Sequence, residues 1–425
     1  MPDVRPFRAL RYSSDEVPDL ATVVSPPYDV VSPERRAALL ARDPRNVIAV
    51  ELPESTPGDE PEDRYRQAAR TLAGWRSSGV LRKDPRPSWY VLEQAYRVPE
   101  TGEERSQRGF LGLVRLVPYG GTAGVLRHER TLDAPREDRY RLLRATGANT
   151  SPIVGLYEDP SGVAATALGA IAARPPSAEL VDDEGVQHRL WVVPADDPDV
   201  AELPGPAAAG PIVIADGHHR YETALRYRDE RHMTRSCEED PPFDWAMMLF
   251  LSTAERLTIL PTHRLLRGLS AEEVGSIPTR VGTLFEVEAA DAAGLERGVE
   301  RGTLGLATTS GCWTMESKAL SSEPPSGDGG SAVDVLDVAV LGRALERLWG
   351  IDAGAVAAGR LAYTTSASEA LASVDQRRAD AAFLLAPTPV DDVVEVARRG
   401  EVMPQKSTHF YPKALAGLVL NPHEW

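Results

Sequence analysis

Apolar positions recur along this chain with two different periods, and the change from one to the other marks its elements. Between Arg64 and Leu81, RYRQAARTLAGWRSSGVL carries apolar side chains at helical spacing and ends near Gly79, which predicts a helix. SWYVLEQAYRV and RGFLGLVRLV follow on either side of ETGEE, the pattern of a β-hairpin with a polar turn. Another helix is expected over APREDRYRLLRAT, capped by Asp133, stopped at Gly147 and leading into the strand-like SPIVGLYED. Near the beginning, in the proline-rich SPPYDVVSPERRAALLARDPRNVIAVELP, Ser32, Pro33 and Glu34 stand in the order of a cap, a first-turn proline and an acid.

Further along, a Pro/Ala/Gly-rich passage precedes the apolar run IVIA, then DGHHR, then a helix in which Tyr221, Ala224 and Leu225 share one face. WAMMLFLS and ERLTILP read as a further pair of buried strands. Beyond residue 271 strands and helices alternate, interrupted by SSEPPSGDGGSA, whose composition marks a surface loop. No internal repeat is found. A chain of 425 residues exceeds one ordinary core, so two or three packed units are expected. The elements suggest an α+β chain with a mixed α/β region over residues 1–120, a core over 121–270 that holds most of the chemistry-bearing residues, and an α/β region over 271–425.

Composition narrows the class. Hydrophobic residues make up 42% and charged residues 26%, which fits a folded globular chain. Cys237 and Cys312 are the only cysteines, so neither a disulfide framework nor a thiolate metal cage is available, and a reducing compartment is expected. The opening MPDVRPFRALRYSSDE lacks a basic start followed by an apolar stretch, and no window approaches the roughly 20 apolar residues of a membrane span; the cytoplasm is the expected location. A net charge of -16 argues against nucleic acid as a partner, because phosphates would be repelled. Basic residues cluster in RHERTLDAPREDRYRLLR, but acids are interleaved there, as on a solvated helix face. An acidic protein with a small positive pocket suits a small anionic ligand.

DGHHR offers such a pocket. The start of a helix presents unpaired N–H groups and partial positive charge, which stabilise an anion such as phosphate. Gly217 permits close backbone approach, Arg220 supplies a forked cation, and His218 and His219 add donors or ligands. Asp216, at the strand's end, is placed either to hold a magnesium ion or to orient a histidine. The bland alternative is that both histidines merely cap the helix. In RHERT, Glu129 beside His128, Arg130 and Thr131 suits a general base for a hydroxyl group, against the plainer reading of an exposed ion pair.

LPTHRLL, with His263 and Arg264, and MPQKSTHFYPK, with Lys406 in a proline-bounded loop, are further candidates for completing an anion pocket; packing is the competing reading for each. PPYD, with Tyr28 and Asp29, reads as a rigid turn. There is no GxxxxGK[ST] loop, GxGxxG after a first strand, HExxH helix or GxSxG elbow, so the ordinary P-loop, Rossmann, zincin and α/β-hydrolase readings lose their main support.

Together PPYDVVSP, HERTLDAPREDR, TSPIVGLYED, ADGHHRYETAL, LPTHRL and MPQKSTHFYPK resemble the family catalogued as domain of unknown function 1015, over nearly the whole chain. The order HE, helix, apolar PI strand, DGHHR and helix is also similar to the ParB/sulfiredoxin superfamily, especially its free serine kinases. Here residues 160–214 separate SPIVGLYED from ADGHHR, which the compact kinases connect more directly. That resemblance implies a ParB/sulfiredoxin-like central domain with mixed α/β flanks and magnesium-dependent phosphoryl transfer from a nucleotide, ATP or ADP, to a small hydroxylated acceptor such as free L-serine. Glu129 would be the base, with His128 and His219 beside it in catalysis. Gly217, His218, His219, Arg220 and Lys406 would hold phosphates, and Asp216 the metal. Sulfiredoxins pair the phosphate motif with a catalytic cysteine, and nothing in the sequence places Cys237 or Cys312 beside it.

Two other readings stand next to the kinase. A metal-dependent hydrolase would use Asp216, His218, His219 and His128 to activate water. A nucleotide-sensing module would bind at the same pocket without turnover.

Overall fold

The structure is a computed structural model and describes residues 1–55, 58, 60–121, 124–234, 239–318 and 330–425. Cys237 and most of SSEPPSGDGGSA lie outside the described residues. The chain is mixed α/β with several sheets, and its contacts divide it into two compact units. The first comprises Met1–Arg127, Thr131–Leu257 and Pro412–Trp425; the second comprises His128–Arg130 and Thr258–Tyr411. Among the described residues, no helix is long and apolar enough to cross a membrane.

A nine-stranded sheet forms the first unit. Its order runs Val125–Leu126, Ile212–Asp216, Ile153–Tyr157, Trp245–Ser252, Glu104–Arg115, Ser88–Arg97, Gln187–Pro194 and Ala178–Val181, with Val4–Arg5 added beside Glu104–Arg115. WAMMLFLS is buried at every position, because it lies between two neighbouring strands and both its faces are covered. The hairpin expected around ETGEE is present, with Tyr90–Arg97 paired in register to Leu111–Glu104. Phe110 and Phe250 stack at 4.9 Å within a core that also takes in Tyr157, Ile212, Ile214 and Tyr221. The strand that delivers DGHHR and the helix that follows are therefore anchored in the same apolar interior.

Helix boundaries follow local chemistry closely. Ser32 caps Pro33–Arg42 by accepting from the Arg35 amide, as its sequence context predicts. Gly147 ends Asp133–Thr146 in the left-handed region, at φ 59°, where a side chain would be strained. Asp133 is not the cap: Leu132 occupies that position without a side-chain bond, and Asp133 is the first helical residue, where its charge still complements the helix dipole.

The second unit is built on a six-stranded antiparallel sheet in the order Phe285–Ala290, Gly311–Ser317, Thr303–Thr308, Ala381–Leu384, His263–Leu266 and Leu361–Thr364. Helix Ala367–Asp375 packs Ala367, Ala370 and Val374 against Leu265, Ala307 and Ala382. ERLTILP does supply a buried strand, Thr258–Leu260, but it pairs with His409–Tyr411 of the KSTHFY segment rather than with WAMMLFLS. Apolar content alone carries no information about the partner of so short a strand.

The closeness of the first sheet's packing shows at Gly109, where a Cβ would fall 2.3 Å from the Phe250 carbonyl oxygen and 2.6 Å from Leu251. The obstructing atom is backbone, which cannot swing aside. Gly109→Ala is therefore expected to destabilise the chain by about 2 kcal/mol or more, as overpacking does in close-packed interiors; a chemical denaturation midpoint equal to that of the unaltered chain would show that the strands separate freely here.

Candidate functional site

Strand Ile212–Asp216 ends where helix His218–Thr234 begins, and Gly217 makes the join. Its φ of +92° lies in the region that favours glycine, and a Cβ there would come within 2.9 to 3.1 Å of the Arg220 guanidinium. The glycine thus lets Arg220 fold back over the turn that precedes it. Arg220 Nη2 donates to Asp216 at 2.6 Å, while Nη1 donates to the Pro152 carbonyl. Lys413, from the last segment of the chain, donates to the other Asp216 oxygen at 3.0 Å. All three side chains are only 12–18% exposed.

Burial by itself would raise the Asp216 pKa, but Lys413 and Arg220, aided by His218, overcome that effect and hold the carboxyl far below the ordinary range. Asp216 is ionised and shared between two cations. That donor set does not fit a magnesium ion: both oxygens already face positive charge, and a dication would be repelled. No cluster of three or more histidine, cysteine or acidic side chains able to hold a metal occurs among the described residues.

His218 is buried at 6% exposure. His219 Nε2 accepts from the Leu132 amide at 2.9 Å, so in the neutral ring the proton is assigned to Nδ1. Glu222, three residues on, accepts from Thr131 Oγ1 at 2.5 Å, from Arg127 at 3.2 Å and from Arg136 at 3.3 Å. The first turns of the DGHHR helix are in this way tied to the segment around the start of helix Asp133–Thr146. Nothing in the sequence singled out Glu222, since its partners lie more than 80 residues away.

Behind Arg220 lies a cavity of about 40 Å³ lined by Glu51, Arg139, Asn149, Thr150, Ser151 and Arg220, among others. It has room for a few waters, against the roughly 300–1,000 Å³ of pockets that take drug-sized ligands. Glu51 is 1% exposed and accepts from the hydroxyls of Thr150 and Ser151. Arg139 is 4% exposed, donates to the Glu51 carbonyl at 2.6 Å and to Asp138 at 2.5 Å, and stacks 4.0 Å from the Tyr28 ring. PPYD does form a tight turn, the 3-10 helix Tyr28–Val30, and its aromatic ring also covers this buried cation.

The remaining candidates belong to the second unit. His128 is fully buried; its ring Nε2 lies 3.0 Å from Thr408 Oγ1 and its carbonyl accepts from the Met403 amide at 2.7 Å. Glu129 forms a parallel bridge with Met403. Lys406 has a left-handed backbone, φ +57°, and its carbonyl accepts from Arg264 at 3.0 Å. His263 Nδ1 accepts from the Leu385 amide at 3.2 Å, and burial, with Arg264 adding to it, pushes the imidazole pKa down to about 4. The lysine beside Asp216 is Lys413, which shares the MPQKSTHFYPK segment with Lys406; a crowd of polar residues in that segment was visible, but not which of its lysines meets the carboxylate.

Among solved structures, the chain is similar to a free serine kinase variant in complex with AMP, at 14% identity and a TM-score of 0.37, covering 69% of this chain and 89% of that one. A conserved hypothetical protein from Pyrococcus furiosus matches at 14% identity and 0.35, over 70% and 95%. SbnI with a C-terminal truncation, from Staphylococcus aureus, matches at 12% identity and 0.38, over 72% and 85%. Likeness at this level bears on neither activity nor site residues. No curated protein matches. The model of the family described as "Protein of unknown function (DUF1015)" matches residues 4–339, and the chain belongs to that family.

Proposed function

We propose that this chain is a small-molecule phosphotransferase with a ParB/sulfiredoxin-like centre, which binds the phosphates of ATP or ADP at the start of helix His218–Thr234 and transfers a phosphoryl group to a hydroxylated acceptor such as free L-serine. The observation that carries the reading is the charge balance at that corner. Two partly buried cations, Arg220 and Lys413, face one carboxylate, and a 17-residue helix with no acid in its first turn begins beside them. The excess is positive, and at 12–18% exposure it is weakly screened by water. Phosphoryl transfer asks chiefly for positioning and charge neutralisation, which such a corner supplies. The motif order from HE to DGHHR supports the same reading.

Asp216 takes the role of holding the two cations in place. His218, His219 and Gly217 shape the phosphate site, and Lys413 joins Arg220 as its second cation. Glu129 takes the role of base toward the acceptor hydroxyl, with His128 fixing its segment through Thr408 and Met403. The metal-dependent hydrolase has no ligand set among the described residues to recommend it.

The reading is tested with the purified chain, ATP or ADP with magnesium, and hydroxylated amino acids, scored for phosphorylated product by mass spectrometry; absence of product from every combination overturns it. Lys413→Met is expected to weaken nucleotide binding about tenfold or more in calorimetry, as loss of a charge-assisted contact does. Glu129→Gln should lower kcat by about 100-fold or more while leaving nucleotide affinity in place, the size of effect that removal of a general base produces. A nucleotide-sensing module predicts the opposite, tight binding by the unaltered chain and no loss in the Glu129→Gln variant.

Asp216→Asn leaves two partly buried cations facing each other without their anion and should cost about 3 kcal/mol at pH 7. Because the folded pKa of Asp216 is depressed, its contribution is fully present above the unfolded value near 4 and disappears as pH falls through the lower folded value. Denaturation curves of the variant and the unaltered chain should therefore converge only in strong acid; a difference that vanishes already at pH 5 contradicts the ion triad.

A further inference from the structure

In the second unit, Arg264 lies on strand His263–Leu266 and is 5% exposed. Its Nη1 donates to the Thr262 carbonyl at 2.5 Å and its Nη2 to the Lys406 carbonyl at 3.0 Å. Both partners are peptide oxygens, which satisfy hydrogen bonds without neutralising a charge. No carboxylate among the described residues forms an ion pair with it, whereas Arg139 and Arg220 each have one. Burial lowers its pKa to about 10 despite the opposing pull of Tyr363 and Glu129.

The surroundings are buried and partly aromatic. Tyr363 and Phe383 stand directly opposite Arg264 on the two neighbouring strands and so share its face. The Tyr363 ring lies 4.8 Å from the guanidinium. Thr262, just before the strand and tied to Arg264 through its own carbonyl, is 6% exposed, and its Oγ1 is buried with no hydrogen-bond partner among the described residues. His263, on the opposite side, is occupied by the Leu385 amide. The loop from Met403 to Thr408 gathers these parts: Met403 pairs with Glu129, Lys406 receives Arg264, and Thr408 meets His128. Lys406 holds φ +57° there, a state that costs energy for a residue with a side chain and collects at functional loops.

We infer that Arg264 and Thr262 form a binding site for the carboxylate of a small acid, with hydroxylated amino acids such as L-serine as the fitting class. A monoanion neutralises one guanidinium and gives the Thr262 hydroxyl its acceptor. A phosphate dianion would bring surplus negative charge toward Glu129. The aromatic walls keep water away and strengthen the contact. This site rests on the proposed function only for the choice of a hydroxylated acid; the carboxylate recognition stands on the strand itself.

The test titrates L-serine, serinol, in which a hydroxymethyl group replaces the carboxylate, and inorganic phosphate into the full chain by calorimetry, for the unaltered protein and for Thr262→Val. This near-isosteric change removes a hydroxyl that has no hydrogen-bond partner among the described residues and should leave the melting temperature unchanged. L-Serine is expected to bind, with serinol at least about tenfold weaker, phosphate weaker than serine, and Thr262→Val costing about fivefold in serine affinity alone, the effect of one lost hydrogen bond. Absence of serine binding, equal binding of serinol, tighter binding of phosphate, or an unchanged affinity in Thr262→Val each overturns the assignment. Serine binding without any phosphorylated product would keep this site and sink the transferase reading, whereas transfer to serinol at the rate seen with serine would do the reverse.

Discussion

A carboxylate taken out of water must be compensated where it stands, and Asp216 is compensated twice. Its two oxygens are held by Arg220, four residues ahead in the helix that follows it, and by Lys413, which arrives from the last segment of the chain. Neither contact is possible without the other features of the corner. Gly217 gives the left-handed turn that lets Arg220 reach back, and a side chain at that position would collide with the guanidinium. Lys413 is located by its own backbone, since its carbonyl accepts from Gln94 at 3.2 Å and Gln94 in turn accepts from Gln107 at 2.9 Å across the hairpin. A polar relay through the sheet thereby fixes a cation at the helix start.

The same logic extends one layer deeper. Arg220 also donates to the Pro152 carbonyl, next to Ser151 and Thr150, whose hydroxyls both serve Glu51. Glu51 lies near Arg139, and Arg139 is covered by Tyr28. Four stretches of chain that are distant in sequence meet around a recess with room for only a few waters. Such a network is rigid because each buried charge has its partner, and loss of any one would strand the next. This rigidity holds the Arg220 guanidinium in one orientation.

What could be read from the sequence were features whose causes are local. Helical and strand periods, the Ser32 cap, the Gly147 stop and the turn in ETGEE each depend on a few consecutive residues, and each is found. Asp133 was misplaced by one position because an acid in the first turn and an acid at the cap leave nearly the same trace. DGHHR was legible as a strand-to-helix corner for the same local reason. Its compensation was not: Lys413 acts through a tertiary contact, and no spacing rule connects residue 216 to residue 413. ERLTILP shows the same boundary, for its apolar run announced a strand while its partner, His409–Tyr411, lay about 150 residues away.

The contrast between Arg220 and Arg264 carries the chemical argument furthest. Both are largely buried arginines close to polar loops, yet Arg220 answers a carboxylate as well as a carbonyl, whereas the hydrogen bonds of Arg264 among the described residues go to peptide carbonyls. A guanidinium already paired in its own unit cannot surrender that partner without stranding Asp216, so in the proposed phosphate site Arg220 and Lys413 would act together, with Asp216 retained and one net positive charge between them. Arg264 has no such obligation. No carboxylate among the described residues forms an ion pair with it, although Glu129 and Tyr363 partly offset its charge, and a small anion of the proposed kind would meet the remainder while leaving both carbonyl contacts, and the loop they hold, in place.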